Sequence, residues 1–340
     1  MRTWSGACQV AAVYIGTVIG AGFATGKEIV QFFSQFGFYG LLGMIISGGL
    51  FIFLGAKLMM TSIELGASSF EEFNVFLFGR KLGKVVTVIQ FIMLIGVLGV
   101  MLSGSGALFD ERFHWPANVG ILLTIFIGLL VMTRGLQGLL AVNVFVVPLM
   151  LVFQFLLAIE VAASPVFFQT LLMQKEADLT WKMWTAPFVY TALNLILAQA
   201  VLVPLAYEIK DKRVIKRGAF LGGGVLMLLM IASHVSLIQL VNLSSYEIPM
   251  AKVVETYLPA FHYVYTILIY GEIFTTVVGN AYGLKQQLEK RIPWTPSVLF
   301  AAIFIAGFLL SQISYGMLLS FLYPLFGWIG LVFLLLLWKK

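Results

Sequence analysis

Charged residues are scarce in this chain. Only 11% of its 340 residues are Asp, Glu, Lys or Arg, whereas 61% are hydrophobic and the mean hydropathy is +1.00. A soluble domain carries about 25% charged residues. The composition therefore excludes an ordinary soluble globular protein and indicates an integral membrane protein.

Cysteine and histidine are nearly absent as well. The single cysteine, Cys8, excludes a disulfide within the chain. The three histidines, at 114, 234 and 262, are scattered and form no cluster with metal-ligand spacing. Because no motif supports intramembrane catalysis, we expect that the protein is not an enzyme.

Long apolar stretches are what the sequence has instead. A helix needs about 20 apolar residues to span a bilayer. Such stretches lie near residues 5–34, 38–61, 85–109, 117–133, 138–161, 185–206, 218–243, 259–284, 294–313 and 316–337. A membrane β-barrel would show short alternating segments. We therefore predict an all-α polytopic protein of the lipid bilayer, with about ten transmembrane helices joined by short loops.

The net charge of +6 follows from where the basic residues lie. With the N-terminus inside, sixteen of the 21 Lys and Arg residues fall on the cytoplasmic side, and Lys27 lies within the first span. The other four fall outside, at Arg112, Lys175, Lys182 and Lys252. The positive-inside rule then predicts that the N- and C-termini are cytoplasmic. Since topology explains the basic charge, we expect no nucleic-acid partner.

The loop 162–183 divides the chain into five spans and five spans. An odd number of spans in each half makes the second half enter the membrane in the opposite direction, as in an inverted-topology repeat. We predict a first repeat at 1–161, an extracellular connection at 162–183 and a second repeat at 184–340. Transporters built this way have interrupted helices at matching positions in the two halves.

The first span contains poor material for a continuous helix. Residues 16–28 hold four glycines and two adjacent charges, between apolar flanks. Irregular backbone at membrane depth is tolerated only where it is buried in protein or lines a cavity. We therefore predict that transmembrane helix 1 is discontinuous here.

Span six carries polar residues within its apolar run, namely Tyr190, Thr191, Asn194 and Gln199. Asn leaves a helix more easily than its neighbours, so Asn194 is the favoured point of interruption. We predict that helix 6 is also discontinuous. The alternative is a continuous helix with a polar stripe.

Span eight places Glu272, Thr275 and Thr276 on one helical face. An ionisable residue at this depth is costly and by default functional. The alternative is that Glu272 pairs with a polar neighbour.

A helix broken at mid-membrane has two ends of opposite polarity. The outer half presents N–H groups suited to a carboxylate, and the inner half presents carbonyl oxygens suited to Na+. Thr275 and Thr276 would add hydroxyl oxygens. We therefore expect a cation-coupled carrier of a small solute that bears a carboxylate.

The pattern Gly16-x-x-x-Gly20-x-Gly22, together with Thr275-Thr276, resembles the amino acid–polyamine–organocation (APC) superfamily, whose fold is the LeuT fold. Within it, the whole chain looks like the YkvI-type amino-acid permeases of bacteria. The resemblance implies a LeuT-like 5+5 inverted repeat in the bacterial cytoplasmic (inner) membrane. It also implies symport of a small neutral amino acid by alternating access, with no obligatory protein partner.

The resemblance further implies individual site residues. A sodium site would comprise the carbonyls of Gly16 and Ile19, the hydroxyls of Thr275 and Thr276, and a carbonyl at Glu272. The substrate-binding residues would be Gly20, Ala21, Gly22, Phe23, Ala24, Thr25, Gly99, Tyr190, Thr191 and Asn194. Lys27 and Glu28 would contribute to an outer gate, or alternatively pair with each other.

Two alternatives stay open at this point. Proton-coupled relatives carry a lysine in span five; this span has none, which favours Na+, whereas Glu272 keeps H+ as an alternative coupling ion. In relatives with a second sodium site an Asn stands where this chain has Phe23, so we expect no second sodium. A different class of function is a ligand-sensing membrane subunit, similar to a germinant receptor, that binds amino acids without concentrating them.

Overall fold

The computed structural model describes residues 2–132, 136–165, 167–172, 180–240, 242–289 and 292–339. These residues are predominantly helical, and no strand occurs among them. The α-helices are α1 (Arg2–Val18), α2 (Ala21–Ala24), α3 (Lys27–Phe32), α4 (Phe38–Leu65), α5 (Phe70–Phe113), α6 (Ala117–Met132), α7 (Leu136–Ala162), α8 (Phe167–Leu172), α9 (Trp181–Ile209), α10 (Lys212–Leu237), α11 (Pro249–Tyr257), α12 (His262–Glu289), α13 (Pro296–Leu310) and α14 (Tyr315–Lys339). The prediction of an all-α protein is confirmed.

Six helical segments in the described ranges are long and apolar enough to cross a membrane. They are α4, α5, α9, α10, the segment Pro259–Glu289 that contains α12, and α14. Shorter apolar helices are α6, α13 and the part Val146–Ala162 of α7. With α1 and its interrupted continuation, these elements match the predicted multi-pass architecture. The division into two repeats at 162–183 stays a prediction.

The helices approach each other closely at small residues. A Cβ added to Gly218 of α10 would lie 2.5 Å from Cβ of Val10 in α1, so these two helices are in near-backbone contact. The buried hydroxyl of Tyr14 donates a hydrogen bond of 2.8 Å to the carbonyl of Phe51, which ties α1 to α4. Such contacts replace the hydrophobic driving force that is missing between helices in lipid. They also hold α1 firmly up to the point where it ends.

The discontinuity of helix 1 is confirmed. Helix α1 ends at Val18, four residues form α2, and α3 begins only at Lys27. Gly26 between α2 and α3 has a φ of +81°, in the left-handed region that favours glycine. We call residues 16–28 the break.

The predicted discontinuity of helix 6 is wrong, because α9 runs as a single helix from Trp181 to Ile209. Two of its polar side chains bond to the helix itself, which does not open the backbone. Asn194 donates from Nδ2 to the carbonyl of Tyr190 at 3.0 Å, and the Thr191 hydroxyl donates to the carbonyl of Pro187 at 2.8 Å. Both bonds return to the same helix four residues earlier, which Asn and Ser/Thr side chains can do in place of leaving it.

Helix α11 lies against the break. The backbone N–H of Met250 donates to the carbonyl of Thr25 at 2.9 Å. At its other end, Glu255 accepts hydrogen bonds of 3.0 Å from both Lys252 and Arg112, the latter on α5. These bonds hold the pKa of the Glu255 carboxyl below its usual value. The pair with Arg112 therefore fastens α11 to the end of α5.

Candidate substrate and cation site

The last carbonyl groups of α1 have no hydrogen-bond donor. The final bond of this helix runs from the N–H of Ile19 to the carbonyl of Ile15, at 2.8 Å. Within the described residues, no hydrogen bond reaches the carbonyls of residues 16–19. Orphaned carbonyls at a helix C-terminus carry partial negative charge. Gly16 and Ile19, two of the predicted sodium ligands, belong to this set, and Gly16 faces α7, its hypothetical Cβ lying 4.0 Å from Val147.

Free backbone N–H groups follow these carbonyls directly, within the break. In the described part of the chain, no hydrogen bond is donated by the N–H groups of Gly20, Ala21 or Gly22. The amides of Phe23 and Ala24, in contrast, both donate to the carbonyl of Gly20 at 3.0 Å. The amide of Thr25 donates to Ala21 at 2.8 Å. The N–H groups of these last three predicted substrate-binding residues are therefore not free to bind a carboxylate, because α2 forms and uses them.

Of the two predicted hydroxyl ligands on α12, that of Thr276 lies beside the break. The hydroxyls of Thr275 and Thr276 donate to the carbonyl of Glu272 at 3.0 and 2.8 Å. A Cβ on Gly20 would lie 3.5 Å from Oγ1 of Thr276, so the break and this hydroxyl are in contact. A hydroxyl that donates to a carbonyl keeps its lone pairs for a cation. The Glu272 carbonyl itself already accepts two hydrogen bonds.

The side chain of Glu272 is fully buried in α12. Neither carboxylate oxygen has a hydrogen-bond partner among the described residues. The alternative that Glu272 pairs with a polar neighbour thus finds no support there. A carboxyl group in such surroundings is costly as an anion, so it favours a proton or a cation.

Glu28 reaches back into the break. It lies on the first turn of α3 and is 5% exposed. A Cβ on Gly22 would overlap its carboxylate and would lie 2.7 Å from both Cγ and Cδ. Oε2 accepts a long hydrogen bond of 3.5 Å from the hydroxyl of Tyr190. Sequence reasoning assigned Glu28 to an outer gate; the structure places it inside the break.

Lys27 points the other way. Its ammonium donates to the backbone carbonyl of Tyr246, in the segment that precedes α11. The Glu247 carboxylate accepts a hydrogen bond from the backbone N–H of Gly316, at the start of α14. A Cβ on Gly316 would lie 2.7 Å from Glu247 Oε2 and 3.1 Å from Lys27 Cε. Lys27 and Glu247 therefore both lie close to Gly316, and the alternative that Lys27 pairs with Glu28 is not what the structure shows.

Tyr190 brings α9 to the break. Its fully buried ring packs against Phe32 and Phe33, with ring centroids 5.2 and 5.1 Å apart. Of the three predicted α9 residues, Tyr190 contacts the break, whereas Thr191 and Asn194 bond back into their own helix. Gly99 is not placed in the site either. Its hypothetical Cβ would lie 2.5 Å from Cβ of Leu310, so Gly99 packs against α13.

Sequence reasoning missed two tyrosines that hold the break. The Tyr315 hydroxyl lies 2.7 Å from Oγ1 of Thr25, and the Tyr265 hydroxyl donates to the carbonyl of Ala24 at 3.1 Å. Both rings are buried. A tyrosine near the end of an apolar span is also typical of a membrane-interface anchor, so the sequence carried no signal that separates the two roles.

The architecture is that of the LeuT-fold transporters. Mhp1, a nucleobase-cation-symport-1 family transporter solved in a closed conformation with bromovinylhydantoin bound, matches 93% of this chain and 74% of its own, with a TM-score of 0.66 and 12% identity. MhsT, solved in complex with L-phenylalanine, matches 94% of this chain and 87% of its own, with a TM-score of 0.68 and 14% identity. At these identities the likeness shows the fold.

Sequence relatives are more specific. The membrane protein YkvI of Bacillus subtilis (strain 168), described as uncharacterized, is 48% identical over 332 residues, which cover 96% of this chain and 94% of that protein. The protein YyaD of the same organism, likewise described as uncharacterized, is 25% identical over 342 residues, covering 97% and 96%. No protein-family model matches the chain. The chain belongs to the YkvI family, and the resemblance inferred from Gly16–Gly22 is confirmed.

Proposed function

We propose that the protein is a secondary transporter that carries a small neutral amino acid by alternating access, in symport with Na+. The observation that supports this is the polarity of the break: orphaned carbonyls at 16–19 are followed at once by three unused amides at 20–22. In transporters with discontinuous helices, the carbonyl end coordinates the ion and the amide end faces the anionic group of the substrate.

The cation would bind between α1 and α12. Its proposed ligands are the carbonyls of Gly16 and Ile19 with the hydroxyls of Thr275 and Thr276. The contact between Gly20 and Thr276 supports this arrangement, because Gly20 directly follows Ile19 in the chain. The Glu272 carbonyl is a weaker ligand than the sequence implied, since two hydroxyls already donate to it.

The solved structures of the same fold support a transporter but do not identify its substrate or its coupling ion. One belongs to a nucleobase–cation symport family and another was solved with L-phenylalanine. The cytoplasmic position of both termini and the bacterial inner membrane are part of the same proposal. In that orientation, α11 and the side chains of Lys27 and Glu247 lie on the extracellular side.

Proton coupling is the second candidate, and one observation favours it. The fully buried carboxyl of Glu272 has no partner among the described residues, next to the hydroxyls of the proposed sodium site. Such a group can bind and release a proton during a transport cycle. In this case Glu272 would carry the coupling ion and Thr276 would not.

Uptake by proteoliposomes tests the proposal. The purified full chain is reconstituted, and entry of radiolabelled amino acids is measured under an inward Na+ gradient, an inward H+ gradient, or neither. Concentrative uptake driven by Na+ is the expected result. Uptake that does not depend on Na+ and is abolished by dissipating the proton gradient would instead identify H+ as the coupling ion. Binding without uptake would instead favour a sensor, and neither binding nor uptake across the panel would refute the proposal.

A further inference from the structure

The carboxylate of Glu28 occupies the centre of the break, where a small solute would bind. It lies directly over Gly22, whose missing side chain leaves the space for it. Among the described residues, its one hydrogen bond is the 3.5 Å contact from Tyr190. The neighbouring cation, Lys27, is directed to the carbonyl of Tyr246 instead. The break therefore contains a buried carboxyl group beside which no described cation lies.

The backbone around Glu28 has few acceptors left. Every carbonyl from Gly20 to Thr25 already accepts a hydrogen bond. The donors are the amides of Phe23, Ala24, Thr25, Gly26 and Met250 and the hydroxyls of Thr25 and Tyr265. Helix α9 is continuous, so most of its carbonyls are used within the helix, apart from those left by Pro187 and Pro204, which have no N–H. The acceptor that stands ready beside the free amides of Gly20 to Gly22 is the Glu28 carboxylate.

The geometry points to a protonated amine as the group that Glu28 receives. A buried carboxylate is strongly unfavourable unless a cation or several donors approach it. A hard metal cation needs a shell of about six oxygen ligands, which the occupied carbonyls around Glu28 do not supply. An ammonium group has only three donors, and the hydroxyl oxygen of Tyr190 beside the carboxylate can accept one of them.

We propose that Glu28 binds the ammonium group of the transported solute, and that the substrates are therefore amine-bearing solutes. This inference rests on the proposed transport function and names its substrate class. The amine becomes the required group, whereas the carboxylate, with three free amides to receive it, is secondary. A decarboxylated amine should then bind, and the deaminated acid of the same size should not.

The test uses two matched sets of solutes with purified full-length protein. The first set is L-leucine, 3-methylbutylamine and 4-methylpentanoate, and the second is L-phenylalanine, 2-phenylethylamine and 3-phenylpropanoate. Binding is measured as the concentration-dependent shift in the thermal unfolding temperature, and uptake is measured in proteoliposomes. In at least one set, the amino acid and the amine should bind while the acid produces no shift.

Glu28→Gln removes the charge and keeps the size of the side chain. Because a hydrogen bond to a charged group is worth more than a neutral one, the variant should weaken amine binding by about ten- to a hundredfold. Glu160→Gln, which removes an exposed carboxylate near the end of α7, is the matched control and should leave binding unchanged. Glu28→Asp keeps the charge and should keep the preference for amine over acid. If Glu28→Gln does not fold, the ranking of the three solutes on the wild-type protein decides.

The outcomes separate this inference from the transport proposal. If the acids bind as well as the amino acids, or if Glu28→Gln binds amines unchanged, the inference is overturned while transport stands. If Na+ alone stabilises the protein through Glu28 and no amine binds, Glu28 is an alkali-cation ligand and the inference is also overturned. If no solute is bound or taken up by the wild-type protein, both the inference and the transport proposal fail.

Discussion

Replacing Gly22 by alanine is the sharpest probe of the break. The new Cβ would overlap the Glu28 carboxylate and lie 2.7 Å from its Cγ and Cδ, well inside van der Waals contact. Overpacking of this kind costs about 1–3 kcal/mol. Gly22 has no positive φ, so alanine is otherwise compatible with this backbone and gains about 1 kcal/mol from helix propensity. The net destabilisation of G22A should therefore be modest, and its size alone decides little.

A double-mutant cycle isolates the contact. In a Glu28→Ala background the obstructing carboxylate is gone, so G22A should be neutral or stabilise the protein by about 0.5–1 kcal/mol. The coupling free energy between the two positions should then be about 1–3 kcal/mol. The free energy of unfolding of all four proteins is measured by denaturant titration in detergent micelles.

The control is Gly49→Ala in α4, because a Cβ there meets no atom within 4 Å. Its effect should be the same with and without the Glu28 side chain. If G22A costs as much in the Glu28→Ala protein as in the wild type, the crowding does not come from Glu28, and its placement over Gly22 is refuted.

Three further substitutions test other parts of the site. Thr276→Ala should raise the Na+ concentration needed for half-maximal uptake, whereas Thr276→Ser, which keeps the hydroxyl, should not; an equal effect of both would argue against a hydroxyl ligand. Glu272→Gln should change the pH dependence of uptake more than its Na+ dependence, measured as initial rates from pH 5 to 9. Tyr315→Phe removes the 2.7 Å contact with Thr25 and should lower the free energy of unfolding by about 1 kcal/mol, while Tyr263→Phe, on an exposed ring, should not.

The interruption of helix 1 could be predicted because its cause is local. Four glycines and two charges at membrane depth disfavour a helix whatever surrounds them. Helix 6 could not be predicted in the same way, because the amide of Asn194 has two choices of partner. An Asn residue can interrupt the helix, or its side-chain amide can donate to the carbonyl four residues earlier. Only the packed structure shows that Asn194 does the latter.

The hydrogen-bond partners of Lys27 and Glu28 could not be predicted from the sequence for a different reason. Adjacent residues on a helix do not face each other, and their partners are distant in the chain. Lys27 meets Tyr246, and Glu28 meets Tyr190. Gly99 shows the same limit: a glycine in an apolar span lines a cavity or admits a neighbouring helix, and here it admits Leu310. Helical elements follow from local pattern, whereas the members of the site follow from tertiary contact.

Helix 1 is interrupted whereas α9 is continuous, and this difference has a mechanical consequence. Helix α9 runs without interruption from Trp181 to Ile209, although Pro187 and Pro204 each remove one backbone hydrogen bond from it. The chain from α1 to α3 has no such continuity. The last backbone N–H to donate along α1 is that of Ile19, and the next carbonyl to accept a backbone hydrogen bond is that of Gly20. Among the described residues, no backbone hydrogen bond spans the link between Ile19 and Gly20. Helix 1 can therefore bend at this link without losing a backbone hydrogen bond, together with the helices that hold α1.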